Sequence, residues 1–363
     1  MRIEQVTLRT IALRLREPFR ISSGVTRERR ILLVFLEGDG VFGVGECVAG
    51  EAPNYSYETL ETASWVLREH LAPAVLGVEF SAATELPPRL DRAAKGHRMA
   101  RAALEMAAWD AEARSRDISL SRLLGGSQDA VPAGVSIGIQ DDPDRLLEII
   151  AGYLDQGYRR IKLKIEPGRD VEVLERVRDR YPEITLTVDA NAAYGRDDLD
   201  RLASLDRFGL MLVEQPFPED DLLLHAELQQ RMETPVCLDE SITSPARCRE
   251  ALHLDAGRVV NIKPGRVGGH GPSREIHDLC ADAGVPVWCG GMLESGIGRA
   301  HNVALASLPN MKLPNDTSAS ARYWERDVVT PEFRLQEDGT VRVPQGPGIG
   351  VELDEDFLRA IEV

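Results

Sequence analysis

Short apolar runs alternate with amphipathic helical segments along most of the chain beyond residue 130. Each run has the length of a buried strand, and each helical segment spans about 12 residues. This alternation predicts parallel strands joined by helices, and eight such units close into a barrel. The predicted strands are 131–139, 159–165, 184–190, 210–216, 235–241, 258–264, 286–292 and 311–314.

The first part of the chain has a different pattern. Segments 3–15, 31–37 and 41–48 are strand-like, with a turn at 38–40, and segments 57–71 and 98–116 have helical periodicity. The sequence therefore predicts an α/β protein with a TIM-type (β/α) barrel and an N-terminal α+β capping domain. The predicted divisions are a capping domain at 1–128, a barrel at 129–325, and a segment at 326–363 that packs back on the capping domain.

Composition and charge limit the classes of partner. The chain has 363 residues, of which 43% are hydrophobic, and a formal net charge of −16. This charge disfavours nucleic acid and anionic membranes as partners, and no run of 18 apolar residues predicts a membrane span. The five cysteines form no C-x-x-C pair, and the first residues lack a signal-peptide pattern. We therefore expect a cytoplasmic protein with reduced thiols.

Charged residues end five consecutive predicted strands, from the second to the sixth. The steps between them are 25, 25, 25 and 24 residues, one strand–helix unit each. Equal steps predict that the five side chains lie at one height on the C-terminal rim, where barrel active sites lie. The residues are Lys164, Asp189, Glu214, Asp239 and Lys263.

The three carboxylates in this row predict a metal site. A single aspartate at the end of a barrel strand is as often the N-cap of the next helix. Three carboxylates side by side would repel one another in a low-dielectric site, and a divalent cation removes this conflict. Oxygen ligands without His or Cys favour Mg²⁺ or Mn²⁺.

Lysines flank the carboxylates on both sides. Lys162 and Lys164 are two residues apart on one apolar strand, so both side chains point into the barrel rather than to a solvated edge. A second cation beside Lys164 favours its neutral amine, the form that can accept a proton. Lys263 lies across the barrel, so it and Lys164 are placed to act on opposite faces of one carbon.

This pattern resembles that of the muconate-lactonizing subgroup of the enolase superfamily. Segments 96–100, 161–168, 261–269 and 288–296 are similar to those of its o-succinylbenzoate synthase/N-acylamino acid racemase branch. The resemblance implies a metal-dependent enzyme that removes the proton alpha to a carboxylate through an ene-diolate. It implies an N-acylamino acid racemase, an o-succinylbenzoate synthase, or both, and does not choose between these two reactions.

The resemblance also implies the roles of individual residues. It makes Asp189, Glu214 and Asp239 the ligands of Mg²⁺, which Mn²⁺ or another divalent cation can replace, and makes Lys164 and Lys263 the acid/base pair. Two loops of the capping domain, 19–25 and 53–55, either close over a small-molecule carboxylate substrate or are ordinary surface loops. The implied pocket residues are Ser136, Gly291, Met292, Leu293, Tyr323, Phe19 and Tyr55.

Two further residues are expected to assist the acid/base lysines. Lys162 assists Lys164, and Arg266 lies three residues beyond Lys263. Arg266 either forms a salt bridge to a loop carboxylate or tunes Lys263, since a like charge disfavours the ammonium form. We also expect a homo-oligomer.

Other functions remain as alternatives. Dipeptide epimerases of this subgroup carry an Asp-x-Asp after the eighth strand, whereas residues 314–318 contain the single acid Asp316. A muconate-type cycloisomerase shares the same barrel pattern. The mandelate-type branch uses a His–Asp dyad, and Lys263 stands where its histidine would be. A non-catalytic metal-binding barrel would leave the lysines without a role.

Overall fold

The computed structural model describes residues 1–22 and 24–363. Its N-terminal sheet has the strand order β1-β2-β3, with both pairs antiparallel. The β1–β2 hairpin is longer than the predicted strands 3–15 and 31–37, because β1 continues to residue 21 and the charged residues 27–30 belong to β2. The strands are β1 (Gln5–Ile21), β2 (Gly24–Gly38) and β3 (Val41–Cys47).

One long helix, Arg98–Ser115, packs across this sheet. Glycines on β3 permit its close approach: a Cβ on Gly43 would lie 2.0 Å from the carbonyl oxygen of Ala107, and one on Gly45 would lie 1.9 Å from that of Ala103. A π-helical turn, Leu67–Leu71, joins the first two helices. The helices are α1 (Leu60–Val66), α2 (Ala72–Val75), α3 (Pro87–Ala93), α4 (Arg98–Ser115) and α5 (Leu120–Leu124).

A curved parallel sheet follows, with its strands in sequential order. A short strand β4 (Ala130–Pro132) precedes it. The barrel strands are β5 (Gly134–Ile137), β6 (Arg160–Lys164), β7 (Thr185–Asp189), β8 (Leu212–Glu214), β9 (Val236–Leu238), β10 (Val259–Ile262) and β11 (Val287–Cys289).

Helices cover the outside of the sheet, and two of them begin at side chains that cap the helix N-terminus. Asp142 and Ser244 accept backbone N–H bonds at two helix starts, and a proline follows each of them at the first helical position. The helices are α6 (Pro143–Asp155), α7 (Asp170–Arg180), α8 (Leu199–Ala203), α9 (Leu222–Arg231), α10 (Pro245–His253), α11 (Pro264–Val267), α12 (His270–Asp282) and α13 (Gly296–Ala306).

The C-terminal segment contacts both parts of the protein. It contains β12 (Val329–Thr330), β13 (Thr340–Arg342), β14 (Glu352–Leu353) and α14 (Glu355–Ala360). Strand β13 pairs with β4 beside the barrel. Glu362 forms a bridge to Ile11, and the N–H of Val363 donates to Thr10 in the N-terminal sheet. The divisions at residues 128 and 325 stay a prediction.

The barrel closes through an irregular segment. The predicted eighth strand, 311–314, is present as two isolated parallel bridges, Val287↔Met311 and Ala133↔Asn315. The predicted first strand, 131–139, is divided: the N–H of Ala133 donates to Gly339, whereas that of Gly134 donates to Asn315. The backbone therefore changes its hydrogen-bonding partner between Ala133 and Gly134, from the C-terminal segment to the irregular eighth segment. Within residues 1–22 and 24–363, no helix is long and apolar enough to cross a membrane.

Candidate active site

The three predicted carboxylates lie at the C-terminal ends of adjacent strands. Asp189 ends β7, Glu214 ends β8, and Asp239 follows β9. Each side chain is at most 1% exposed. A buried carboxylate requires a compensating positive charge, and basic side chains reach all three.

The five charged residues are not all register partners of one another. Lys164, Asp189 and Glu214 are register partners on three successive strands, as the sequence predicts. On β9, however, the partner of Glu214 is Cys237, so Asp239 lies two residues further along its strand. The strands of a closed barrel are staggered as well as tilted, so such an offset in register is expected around the barrel, and the equal height of the five side chains stays a prediction.

Lys162 is held by three carboxylates. Its Nζ lies 2.6 Å from Asp316 Oδ2, 2.9 Å from Glu214 Oε2 and 3.3 Å from Asp189 Oδ2. Burial lowers the pKa of Lys162, but these carboxylates outweigh it and raise the pKa above its ordinary value. Lys162 is thus a fixed cation whose charge is largely compensated by its own ion pairs.

Lys164 lies nearer the mouth of the barrel. Its Nζ donates to Asp189 Oδ2 at 2.5 Å and to Asn191 Oδ1 at 2.6 Å. The amide nitrogen of Asn191 donates in turn to Glu240 at 2.9 Å. These contacts hold Lys164 at the edge of the carboxylate row, on the side away from Lys263.

Lys263 and Arg266 share one carboxylate. Lys263 Nζ lies 2.7 Å from Asp239 Oδ2, while Arg266 contacts the other oxygen and donates to the carbonyls of Ile242 and Asn261. Burial lowers the pKa of Lys263, but the contact with Tyr55 and the surrounding carboxylates raises it above its ordinary value. Of the two roles expected for Arg266, the structure gives the salt bridge, to the buried Asp239 that follows β9, while the tuning of Lys263 stays a prediction.

The pKa values of two neighbouring carboxylates move in opposite directions. Burial raises that of Asp189, but Lys164 and Lys162 lower it to about 2. Burial and the adjacent Asp189 raise the pKa of Glu214 above its ordinary value. Of these two carboxylates, Glu214 is thus the one whose charged form its surroundings disfavour, and a further positive charge beside it would lower its pKa.

The donor atoms are carboxylate and amide oxygens, the types that a hard divalent cation prefers. Asp189 and Glu214 both reach Lys162 Nζ, and Asn261 Nδ2 donates to Glu214 Oε1 at 2.7 Å, while Asn261 Oδ1 is buried without a partner among the described residues. In that same part of the chain, no three His, Cys, Asp or Glu side chains surround one point. The oxygen atoms of Asp189, Glu214 and Asp239 contact the ammonium groups of lysines and the guanidinium group of Arg266 instead.

A cavity of about 370 Å³ opens between this row and the N-terminal domain. Both proposed acid/base residues, Lys164 and Lys263, line it. Five of the seven predicted pocket residues line it as well: Phe19, Tyr55, Gly291, Met292 and Leu293.

The other two predicted pocket residues do not line the cavity. Ser136 is buried on β5 as the register partner of Lys162. Tyr323 packs edge-on against Phe19, with 6.2 Å between the ring centroids. Of the predicted loop 19–25, Ser23 lies outside the described residues.

Two site contacts were not expected from the sequence. Asp316 pairs with Arg160 and Lys162, and Glu240 accepts from Asn191. Asp316 follows the irregular eighth segment, where no strand pattern indicates which way its side chain points. Glu240 follows Asp239 directly in the sequence, and this position indicates a further carboxylate at the mouth of the barrel.

Family models match both parts of the chain. Residues 3–125 match the N-terminal domain of mandelate racemase / muconate lactonizing enzyme, and residues 145–357 match the enolase C-terminal domain-like family. The second match alone covers more than half of the 363 residues.

Individual relatives match over nearly the full length. An N-succinylamino acid racemase of Amycolatopsis sp. is 51% identical over 97% of this chain and 95% of its own length. An o-succinylbenzoate synthase of Geobacillus kaustophilus is 49% identical over 97% of this chain and 94% of its own. A crystal structure of an enolase-superfamily member from Listeria innocua has a TM-score of 0.96 and 39% identity, covering 100% and 98% of the two chains. The protein belongs to the enolase superfamily, with the mandelate racemase / muconate lactonizing enzyme type of N-terminal domain.

Proposed function

We propose that this protein removes the proton alpha to a carboxylate group and acts as an N-succinylamino acid racemase, an o-succinylbenzoate synthase, or both. The observation that carries the proposal is the pair Lys164 and Lys263, which line one cavity and contact carboxylates at the two ends of the row. Relatives with these two names are 49–51% identical to the chain.

The proposed ligands of a divalent cation are Asp189, Glu214 and Asp239, and Mg²⁺ is the expected ion because all donors are carboxylate oxygens. Members of the enolase superfamily generally depend on a divalent metal. A cation held by these residues would supply positive charge that stabilises the negative charge developing on the substrate carboxylate. With a cation bound, Asp239 would place less negative charge on Lys263, which would favour the neutral amine.

The lysines do the proton transfers. In racemisation, the amine of one lysine takes the alpha proton and the ammonium group of the other returns a proton to the opposite face. In o-succinylbenzoate formation, Lys164 removes the proton and returns it to the departing hydroxyl group, and Lys263 remains a cation beside the developing negative charge. Lys162 stays protonated in both reactions because three carboxylates hold it.

One observation disfavours the dipeptide epimerase alternative. Dipeptide epimerases of this subgroup place an Asp-x-Asp after the eighth strand to hold the substrate ammonium group, and this chain has only Asp316 there. Asp316 is instead 2.7 Å from Arg160 and 2.6 Å from Lys162, so its charge is already compensated.

A cytoplasmic location fits the five cysteines, all of which are free among the described residues. The homo-oligomer remains an expectation.

The decisive experiment uses the purified protein with MgCl₂ in deuterium oxide. Each enantiomer of an N-succinylamino acid is followed by NMR for loss of the alpha proton and by polarimetry for racemisation. Absorbance follows o-succinylbenzoate formation in parallel. Absence of exchange and of dehydration, with the protein folded and magnesium present, would contradict the proposal.

A further inference from the structure

Tyr55 extends from the N-terminal domain to the acid/base residue Lys263 of the barrel. Lys263 Nζ donates to the phenol oxygen of Tyr55 at 3.2 Å and lies 5.6 Å from the centre of its ring. The same Nζ lies 2.7 Å from Asp239 Oδ2. A flexible lysine side chain is therefore held by two acceptors that come from two different parts of the protein.

The loop that carries Tyr55 is anchored at both ends. The N–H of Leu60 donates to Gly50 at 2.7 Å, which closes residues 50–60 into a loop. Glu58 is 2% exposed and accepts the backbone N–H groups of Met99 and Ala100 at the start of helix α4. The phenol is thus placed by the N-terminal domain and not by Lys263 itself.

Two fixed acceptors determine where the reacting position of Nζ points. A tetrahedral amine that donates to Tyr55 and Asp239 has one direction left. In the neutral form this direction holds the lone pair, and in the charged form it holds the third N–H. The same geometry thus serves Lys263 as a base and as an acid, and Lys263 lines the cavity. Burial raises the pKa of Tyr55 to about 12, so the phenol stays neutral and able to accept.

We propose that Tyr55 is a positioning residue, whose phenol oxygen orients Lys263 Nζ for proton transfer on one face of the substrate. This inference rests on the racemase function proposed above. It predicts an effect on one enantiomer only, since Tyr55 touches Lys263 whereas Lys164 is held by Asp189 and Asn191.

The test is Tyr55→Phe, which keeps the ring and removes the oxygen. With magnesium and N-succinylamino acids in deuterium oxide, exchange of the enantiomer that Lys263 deprotonates should fall about tenfold, the effect of one hydrogen bond to a charged group. Exchange of the other enantiomer and KM should remain within twofold. Lys263→Ala identifies which enantiomer is which.

Tyr57→Phe is the matched control, because Tyr57 lies in the same loop, is 63% exposed and does not line the cavity. It should leave both exchange rates at the parent value, and thermal unfolding should show that both variants are folded. Equal losses for both enantiomers, or a change confined to KM, would make Tyr55 a substrate-binding or loop residue and overturn the inference, as would unchanged rates. Failure of the parent protein to exchange either enantiomer would instead contradict the proposed function.

Discussion

Lys162 and Asp316 form a buried ion pair, 2.6 Å from Nζ to Oδ2, that joins strand β6 to the irregular segment closing the barrel. The two side chains are 3% and 9% exposed. Removing Asp316 takes away one of the three carboxylates around Lys162 and also the carboxylate that pairs with Arg160. The pair therefore connects the stability of the barrel to the geometry of the active site.

Asp316→Asn should destabilise the protein by about 3 kcal/mol, the usual cost of breaking a buried ion pair. Urea unfolding at pH 7 measures this free energy. Asp356→Asn is the control, because Asp356 is 94% exposed beside Arg359 and should leave stability unchanged. A parent-like midpoint for Asp316→Asn would mean that Arg160 and Lys162 find other compensation.

The same pair predicts a dependence on pH. Burial raises the pKa of Asp316, but Lys162 and Arg160 outweigh it and hold the pKa below its usual range. A carboxyl group with a lowered folded-state pKa stabilises the protein above its unfolded-state pKa of about 4, and this stabilisation is lost as the pH falls further. The stability gap between the parent and Asp316→Asn should therefore narrow below about pH 4, as measured by urea unfolding across pH 2–7.

Metal removal should abolish activity. Excess chelator should stop both proposed reactions, and added Mg²⁺ or Mn²⁺ should restore them. A readout independent of activity is the melting temperature, which Mg²⁺ should raise in the parent by binding the folded state. Glu214→Gln should lose this rise and Asp356→Asn should keep it. Full turnover in excess chelator, with no metal found by elemental analysis, would exclude the metal site.

The two lysines should be separable by enantiomer. Lys263→Ala should stop deuterium exchange of one N-succinylamino acid enantiomer and retain some exchange of the other, and Lys164→Ala should do the reverse, because they contact carboxylates at opposite ends of the row. General acid or base catalysis contributes about 10²- to 10⁴-fold, so a loss of that size is expected for the affected enantiomer. A variant that exchanges both enantiomers at the parent rate would show that the roles are assigned wrongly.

Arg266→Gln should reduce racemisation far more than o-succinylbenzoate formation. Racemisation requires Lys263 to alternate between amine and ammonium, whereas dehydration uses it only as a cation. A guanidinium group on the other oxygen of Asp239 weakens the hold of that carboxylate on Lys263. Steady-state kinetics on both substrates decide this. Equal losses in both reactions would reduce Arg266 to a structural partner of Asp239.

The sequence predicts most of the barrel because its strands are apolar runs of regular spacing. It does not predict the eighth strand correctly, since residues 311–315 bond to both neighbours without regular strand geometry. Strand lengths are also overestimated: the fourth, predicted as 210–216, is Leu212–Glu214. Apolar residues continue past each strand into the buried loops, so hydrophobicity alone does not show where pairing ends.

The candidate site is predicted in its residue types but not in its contacts. Equal steps along the chain identify Lys164, Asp189 and Glu214 as neighbours, since each step is one repeat of the barrel. The stagger of β9 is set by packing between distant strands, and spacing carries no information about it. The contact of Tyr55 with Lys263 likewise depends on how two parts of the chain are docked.

The return of residues 361–363 to the N-terminal sheet has a consequence for synthesis on the ribosome. Ile361 accepts from Ala12 and Val363 donates to Thr10, each at 2.9 Å. The edge of β1 therefore has no backbone partner at Thr10 and Ala12 until about 350 further residues have been translated. During that time its open N–H and C=O groups are exposed to other nascent chains. Strand β1 is thus translated long before the residues that cover its edge.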